Sequence, residues 1–336
     1  MTGTLPIGWD AELPTFAGEK GLATRQAGQV VLDAVARALP NLPGGSADLA
    51  HSNGTVIKDG GDYTAETPGR NIHWGIREHA MAAACNGMAA HGGVRPFAAT
   101  FLIFADYLKP SFRLAALMKL PVVYVGTHDS IGVGEDGPTH QPIEQLAMLR
   151  ALPNARVFRP ADATETAECW RLALERTDGP SMLALTRQKL PVLDRAKYAP
   201  AAGVRKGGYT LKDSSATPKV ILLSTGSEVH IALSAAEQLE QQGMPTRVVS
   251  LPSWELFAAQ PKAYRDSVLP PSITARVSIE AAATFGWDRW VGSAGVMIGL
   301  DHFGASAPAE RLYQEFGLTA ARVVEAARGL LQGGTR

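Results

Sequence analysis

Short apolar segments that alternate with helical segments constrain the fold of this 336-residue chain most strongly. The runs PVVYV (121–125), SMLALT (181–186) and KVILLS (219–224) are too short for packed helices, and each is followed by a segment with helical spacing of apolar residues. Strands that alternate with helices in this way form mainly parallel sheets with helices on both faces. The sequence therefore predicts an α/β protein.

A connection rich in Pro and Ala, at about 190–208, interrupts this alternation, which then resumes. We therefore predict two mainly parallel-sheet domains in series, and the 46% apolar content is enough to bury a core in each. The expected division is a linker arm at 1–22, a first domain at 23–190, a linker at 191–207 and a second domain at 208–336.

Composition limits the partners of the chain. Its 32 basic and 32 acidic side chains cancel, so no general attraction to nucleic acid or to an anionic membrane is expected. No apolar run approaches about 18 residues, and the first residues lack the pattern of a signal peptide. The two cysteines, without CxxC spacing, predict buried thiols in a reducing compartment, so we expect a cytoplasmic protein.

The segment THDSIGVGEDGPTHQP, called here the 127–142 loop, concentrates ionisable residues among glycines directly after a predicted strand. Ligands of parallel α/β sheets bind beyond the carboxyl ends of the strands. We therefore expect His128, Glu135, Asp136 and His140 around the mouth of a cleft. Three interpretations stay open: a solvated loop with turn-forming residues, a metal site of His128, Asp136 and His140, or imidazoles that bind a hydroxylated anion.

The segment TFLIFADYLKPSFRLAALMK predicts a helix over 100–119. Phe101, Phe104 and Tyr107 then lie on one side of it, three residues apart. Such a stripe is typical of a hydrophobic core. The alternative is an aromatic cradle for a flat heterocycle.

Isolated charged residues are the remaining candidates. Glu78 falls in the first turn of an Ala-rich helix predicted over 77–92, where it either complements the helix dipole or, partly buried, binds a cofactor nitrogen. Arg25, beside a helix start, and Arg187, after a strand, are either surface residues or ligands of a sugar phosphate. The segment TGSEV (225–229) is a strand-to-helix turn that can hold a phosphate, but without GxGxxG a structural turn is favoured.

Several of these segments, in this order along the chain, together resemble the transketolase family. They are GGSADLAHSN (44–53), GIREHAM (75–81), TFLIFADY (100–107), the 127–142 loop, STGSEVH (224–230) and FGASAPAE (303–310). The resemblance implies a pyrimidine-binding α/β domain followed by the family's C-terminal α/β domain. It also implies thiamine-diphosphate-dependent transfer of a two-carbon ketol unit from a ketose phosphate to an aldose phosphate.

The resemblance implies roles for individual residues. Glu78 is similar to the glutamate that hydrogen-bonds the aminopyrimidine ring and promotes its imino tautomer, and Asp48 to an acid near the cofactor. Phe101, Phe104 and Tyr107 resemble the aromatic pocket of the pyrimidine, with Phe104 as the main stacking partner. The substrate ligands that the resemblance implies at the phosphate end are Arg25, Ser52, His128 and Arg187. Asp136 is similar to the ligand of the donor's second hydroxyl. His140 is similar to the residue at the donor's reacting end and, together with Glu78, to a catalytic residue.

One departure from the family is large. Complete transketolases bind the diphosphate through a divalent metal, Mg or Ca, in an N-terminal domain with a GDG motif, and GDG is absent from this sequence. The resemblance thus implies the C-terminal portion of a transketolase, with no metal ligands of its own. It would be a split subunit or a fragment, working with an N-terminal transketolase chain or domain in a homodimeric or heterotetrameric assembly.

Other identities stay open at this stage. They are a related thiamine-dependent synthase, the β-type subunit of an oxo-acid dehydrogenase, and a non-catalytic remnant that only dimerises. The basic residues and paired histidines favour phosphorylated sugars over pyruvate.

Overall fold

The computed structural model describes residues 5–18 and 20–333. Its first domain contains a wholly parallel sheet of the order β2-β3-β4-β6-β5, beside a separate antiparallel pair, β1 and β7. The strands are β1 (Leu22–Ala23), β2 (Gly44–Ser46), β3 (Phe97–Phe101), β4 (Val123–Thr127), β5 (Arg156–Phe158), β6 (Ser181–Leu185) and β7 (Lys189–Leu190). The helices are α1 (Thr24–Ala38), α2 (Ala50–Asn53), α3 (Glu78–His91), α4 (Ala105–Leu117), α5 (Gln145–Arg150) and α6 (Ala163–Glu175).

The second domain contains a sheet of the order β12-β11-β9-β10-β8, in which only β8 is antiparallel. Its strands are β8 (Tyr209–Lys212), β9 (Val220–Ser224), β10 (Thr246–Ser250), β11 (Arg276–Ile279) and β12 (Val296–Ile298). Its helices are α7 (Glu228–Gln241), α8 (Trp254–Ala258), α9 (Lys262–Val268), α10 (Asp288–Val291), α11 (Ala309–Glu315) and α12 (Ala320–Gly333). The chain passes from β9 to β10 on one side and returns to β11 on the other, so the strand order reverses between β9 and β11.

The cores of the two domains are continuous. One buried cluster includes Val31 and Val125 from the first domain and Leu222 and Val248 from the second. All residues of β3, β4, β6 and β9 are buried, as expected for parallel strands covered on both faces. Within the described residues, no helix is both long and apolar enough to cross a bilayer.

Several local predictions were wrong. The helix predicted over 100–119 is instead the end of β3, a 3-10 turn at Leu102–Phe104 and then α4. The periodicity of this apolar run does not distinguish a strand from a helix. Its conformation is decided by pairing with β2 and β4 on either side. The Gly-rich sequence of residues 44–54 predicts a loop, but this segment contains β2 and α2.

Two further local predictions also need correction. The short segment NIHWG predicts a strand over 71–75, but these residues form none, because Asn71 makes only isolated bridges to Gly44 and Asp62. The segment PIEQLAMLRAL predicts a helix over 142–152 with Pro142 in its first turn, but the helix is limited to α5, so Pro142 lies ahead of it.

Candidate active site

The carboxyl edge of the first sheet gathers most of the predicted site residues. Asp48 follows β2, Phe101 ends β3, His128 directly follows β4 and Arg187 follows β6. Because these four strands are neighbours and parallel, their carboxyl ends lie side by side. This is the edge at which an open α/β sheet binds ligands.

A cavity of about 490 Å³ opens at this edge. The cavity brings together the two carboxylates and three aromatic rings that the resemblance assigns to the cofactor. It also includes one of the two histidines of the 127–142 loop. Its walls are Ala47, Asp48, Leu49, Ile76, Glu78, Phe101, Phe104, Tyr107 and His140.

The three aromatic side chains line the cavity with increasing solvent exposure, and they do not form a stripe buried in a hydrophobic core. Phe101 is buried, Phe104 is half-buried and Tyr107 is 63% exposed. The rings of Phe101 and Phe104 are nearly parallel, with an angle of 6° and centroids 6.1 Å apart. A third ring between them would need about 7 Å, twice the usual carbon contact distance of roughly 3.5 Å. The gap between the two rings is therefore too narrow for a flat ligand ring, which leaves the outer face of Phe104 as the candidate stacking surface.

Glu78 is a buried acid without a protein partner. It is the first residue of α3, as predicted, and only 7% of it is exposed. Among residues 5–18 and 20–333, none forms a hydrogen bond or ion pair with its carboxylate. Burial of an unpaired carboxylate is costly, and the positive end of α3 offsets only part of that cost. The arrangement suits a ligand that brings a hydrogen-bond donor into the cavity.

His128 is held in a fixed orientation at the start of the 127–142 loop. The Thr127 hydroxyl donates to Oδ1 of Asn53 at 2.6 Å, so it accepts from Nδ1–H of His128 at 2.7 Å. The imidazole ring stacks on Phe101, with centroids 3.7 Å apart. In neutral His128, Nε2 is therefore the nitrogen that lacks a proton.

Positive charge accumulates around His128. Burial, followed by the charges of Arg25, Arg187 and His140, lowers the pKa of His128 to about 3. Burial and then Arg187 also lower the pKa of Arg25, whose buried Nε has no partner among the described residues. Arg187 is likewise without an ion pair in that part of the chain. A group of cations with no acid to balance it is suited to bind an anion.

Of the predicted substrate ligands only His140 is part of the cavity wall, and Ser52 and Asp136 are the two that belong neither to this wall nor to the cation group. Ser52 is exposed on α2, where its carbonyl oxygen accepts a hydrogen bond from Nη1 of Arg25. Asp136 is exposed at the tip of the 127–142 loop, between Gly134 and Gly137, which both have left-handed φ angles of about 80°. The described residues contain no cluster of three or more His, Cys, Asp or Glu able to hold a metal. The set His128, Asp136 and His140 is therefore not brought together as a metal site.

No sequence pattern assigned a role in the site to the second domain, but the structure shows that it supports the 127–142 loop. Nε2 of Gln141 donates to the carbonyls of Gly134 at 2.8 Å and Ala305 at 3.0 Å. The Ser306 hydroxyl donates to the carbonyl of Glu135. These partners belong to FGASAPAE, a segment more than 160 residues away, and no local pattern could have paired them with the loop.

Taken together, the fold and the site define an α/β protein with a cavity lined by aromatic rings and carboxylates, and a group of cations near it, at the carboxyl edge of its first sheet. Residues 20–192 match the family described as transketolase, pyrimidine binding domain. Residues 207–319 match the transketolase-like TK C-terminal domain. The chain therefore belongs to the transketolase family and corresponds to its C-terminal portion, which confirms both the resemblance of the motifs and the predicted α/β fold class.

Known transketolases extend well beyond the matched region. The chain is 54% identical over 333 residues to a transketolase of Geobacillus stearothermophilus, covering 98% of this chain and 50% of that protein. It is 54% identical over 336 residues to a chloroplastic transketolase of Craterostigma plantagineum, covering 98% and 64%. The chain thus spans about half to two thirds of the length of these relatives.

Solved structures show the same relation. The transketolase from Leishmania mexicana superposes with a TM-score of 0.94 at 44% identity, covering 99% of this chain and 49% of that one. A structure described as a split gene transketolase, inactive beta4 tetramer, has a TM-score of 0.75 at 29% identity, covering 93% of this chain and 99% of that one. That second structure is a protein of comparable extent to this chain.

Proposed function

We propose that this chain supplies the pyrimidine-binding half of a transketolase active site. The proposed reaction is transfer of a two-carbon ketol unit from a ketose phosphate to an aldose phosphate. The observation that carries the proposal is the unpaired, buried carboxylate of Glu78 in the cavity walled by Phe104, next to a group of unbalanced cations.

The cavity residues fit the aminopyrimidine ring of thiamine diphosphate. The outer face of Phe104 offers a stacking surface, and the Glu78 carboxylate accepts a hydrogen bond from a ring nitrogen. Bound thiamine diphosphate supplies the nucleophilic carbon of the reaction. Glu78 holds the proton at the ring nitrogen, while Asp48 and His140 line the same cavity, with His140 towards the reacting end of the sugar.

The cation group fits the phosphate end of a sugar phosphate. Arg25 and Arg187 supply guanidinium donors, and Ser52 lies beside Arg25. A phosphate dianion placed there offsets the two arginine charges, which favours protonation of His128 and lets its Nε2 donate as well. Asp136, at the loop tip, is assigned to the donor's second hydroxyl.

The diphosphate and its metal, Mg or Ca, are assigned to an N-terminal transketolase domain or chain. The cavity is open on the side of Ile76, which is 79% exposed, and of Tyr107. Such an apolar rim suits coverage by a partner domain. A homodimeric or heterotetrameric assembly would complete each site in this way.

The test is reconstitution. The chain is mixed with the separately produced N-terminal half of the Geobacillus relative, thiamine diphosphate and magnesium, and ketol transfer from xylulose phosphate is measured. The control replaces this chain with the C-terminal half of the same relative. Activity in the control but none with this chain would refute the proposal. Turnover of pyruvate in place of xylulose phosphate would point to an oxo-acid enzyme.

A further inference from the structure

The ligand position of the second domain is filled by a side chain of the first domain. In an open α/β sheet this position is the crevice beyond the strand ends where the strand order reverses, here between β9 and β11. Arg159, which directly follows β5, enters the crevice and is fully buried there. Its Nη1 donates to the carbonyl of Thr225 at 3.1 Å and also binds the carboxylate of Glu228.

The turn after β9 is shaped around this guanidinium. Gly226 has a φ of 58°, and a Cβ at this position would lie 2.7 Å from Nε and Cζ of Arg159. Glu280, which follows β11, completes the crevice with Oε1 3.6 Å from Nη1 of Arg159. The turn TGSEV is thus a structural turn, as the sequence favoured, and it holds an arginine where a phosphate could otherwise bind.

The same arginine reaches back to the 127–142 loop. Nε of Arg159 donates to Oδ2 of Asp129 at 2.8 Å, and both side chains are fully buried. Asp129 directly follows His128, whose left-handed φ of 58° is unfavourable for a residue with a side chain. Such a conformation persists only where its surroundings impose it. Thr127 and Asn53 fix His128 on one side, and the Asp129–Arg159 pair fixes it on the other.

A second cavity lies at the opposite edge of the second sheet, and most of its cations are paired within the protein. It lies beside the segments that precede β11 and β12. Arg276 there donates to four backbone carbonyls, and Lys262 is paired with Asp266. Two of the three cations that line this cavity are therefore already used within the protein, whereas the buried Nε of Arg265 has no partner among the described residues.

We propose that Arg159 is a positioning residue, an internal ligand of the second domain that, through Asp129, sets the place of His128 in the phosphate site. This inference rests on the proposed function, because it assumes that His128 and its neighbouring arginines bind phosphate. It also gives the second domain a part in substrate binding without any contact between that domain and the substrate.

The numbers of buried cations and acids that each substitution leaves determine which variant gives the clearest test. The buried network joins Arg150 and Arg159 to Asp129, Glu228 and Glu280. Asp129→Ala removes the link to His128 and leaves two cations with two acids, so this variant is expected to fold. Arg159→Met leaves three acids with one cation and serves as the more severe variant. Arg276→Met is the control for the loss of an arginine that binds several backbone carbonyls.

The experiment measures binding of inorganic phosphate to the full 336-residue chain by titration calorimetry. Misplacement of a ligand by about 1 Å can cost 100-fold, so we expect roughly tenfold weaker binding or more in Asp129→Ala, and no change in Arg276→Met. In the reconstituted enzyme, Asp129→Ala should raise KM for the ketose phosphate by a similar factor and leave kcat nearly unchanged.

The outcomes separate the two proposals. If the wild-type chain and folded Asp129→Ala bind phosphate equally, the positioning role is refuted and the proposed function stands. If the wild-type chain binds no phosphate and the reconstituted enzyme transfers no ketol unit, the proposed function itself fails. If Arg159→Met does not fold, the result for Asp129→Ala decides.

Discussion

The imidazole of His128 lies against the ring of Phe101, with centroids 3.7 Å apart and an angle of 29° between the planes. Phe101 also walls the cavity that contains Glu78 and Phe104. The proposed cofactor cavity and the proposed phosphate site therefore share one side chain. A shift of Phe101 would alter both, which ties the position of the substrate's charged end to that of the cofactor ring.

The neutral state of His128 makes the stability of the chain depend on pH. In the folded protein its pKa is about 3, against about 6.5 in an unfolded chain. Between these values the unfolded state binds the extra proton, so the free energy of unfolding falls as the pH falls, by up to about 1.4 kcal/mol per pH unit. The contribution of His128 is fully present above about pH 6.5.

Substitution of His128 should remove its contribution to the pH dependence of the free energy of unfolding. Between pH 7 and pH 5, urea unfolding should show wild type losing up to about 2 kcal/mol more than His128→Asn. His91→Asn, at an exposed position on α3, is the surface control and should follow wild type. Parallel slopes for wild type and His128→Asn would mean that His128 is not held neutral.

Glu78→Gln should greatly reduce ketol transfer and leave the free energy of unfolding nearly unchanged. The carboxylate loses no partner among the described residues, so the free energy of unfolding should change by less than about 0.5 kcal/mol. Ketol transfer by the reconstituted enzyme should fall by about 100-fold or more, because a proton can no longer be held at the ring nitrogen. Glu237→Gln, at a surface ion pair with Lys197, is the control. Near wild-type turnover in Glu78→Gln would remove this residue from the mechanism.

The order of strands and helices was largely predictable, because the apolar spacing differs between the two. The position of Glu78 in the first turn of α3 followed from the same spacing. The segment TFLIFADY failed because its first residues form a continuous apolar run, which fits a buried strand and a buried helix equally. Neighbouring strands then placed Phe101 in β3 and left Phe104 and Tyr107 beyond it.

Contacts between distant segments were not predictable. Arg159 and Glu228 are 69 residues apart. The local sequence around each indicates only an ordinary charged residue near a strand or a helix. Their burial follows only from the contact between the residue after β5 and the turn after β9, which belong to different domains. The motifs indicate candidate ligands at the surface of the site, whereas the buried residues that contact these candidates carry no periodic or local signal.

Arg187→Met should weaken recognition of the phosphate without affecting the chemistry. A charge-assisted hydrogen bond is worth about 1.5–3 kcal/mol, so KM for the ketose phosphate should rise by roughly 10- to 100-fold. KM for the unphosphorylated ketose and kcat should stay close to wild type. Arg322→Met, at an exposed position on α12, is the control. An equal rise in KM for both ketoses would place Arg187 away from the phosphate.

Gly226→Ala should reveal how closely the second domain encloses Arg159. Both Gly226 and Gly243 have left-handed φ angles, of 58° and 73°, but only at Gly226 would an added Cβ meet other atoms within 4 Å, the nearest being the Arg159 guanidinium at 2.7 Å. Gly243→Ala should therefore cost about 1 kcal/mol for the backbone conformation alone. Gly226→Ala should cost a further 1–3 kcal/mol or so, because the guanidinium cannot move without losing its acids. Urea unfolding of both variants measures the difference, and equal losses would show that the crevice accommodates a shift of Arg159.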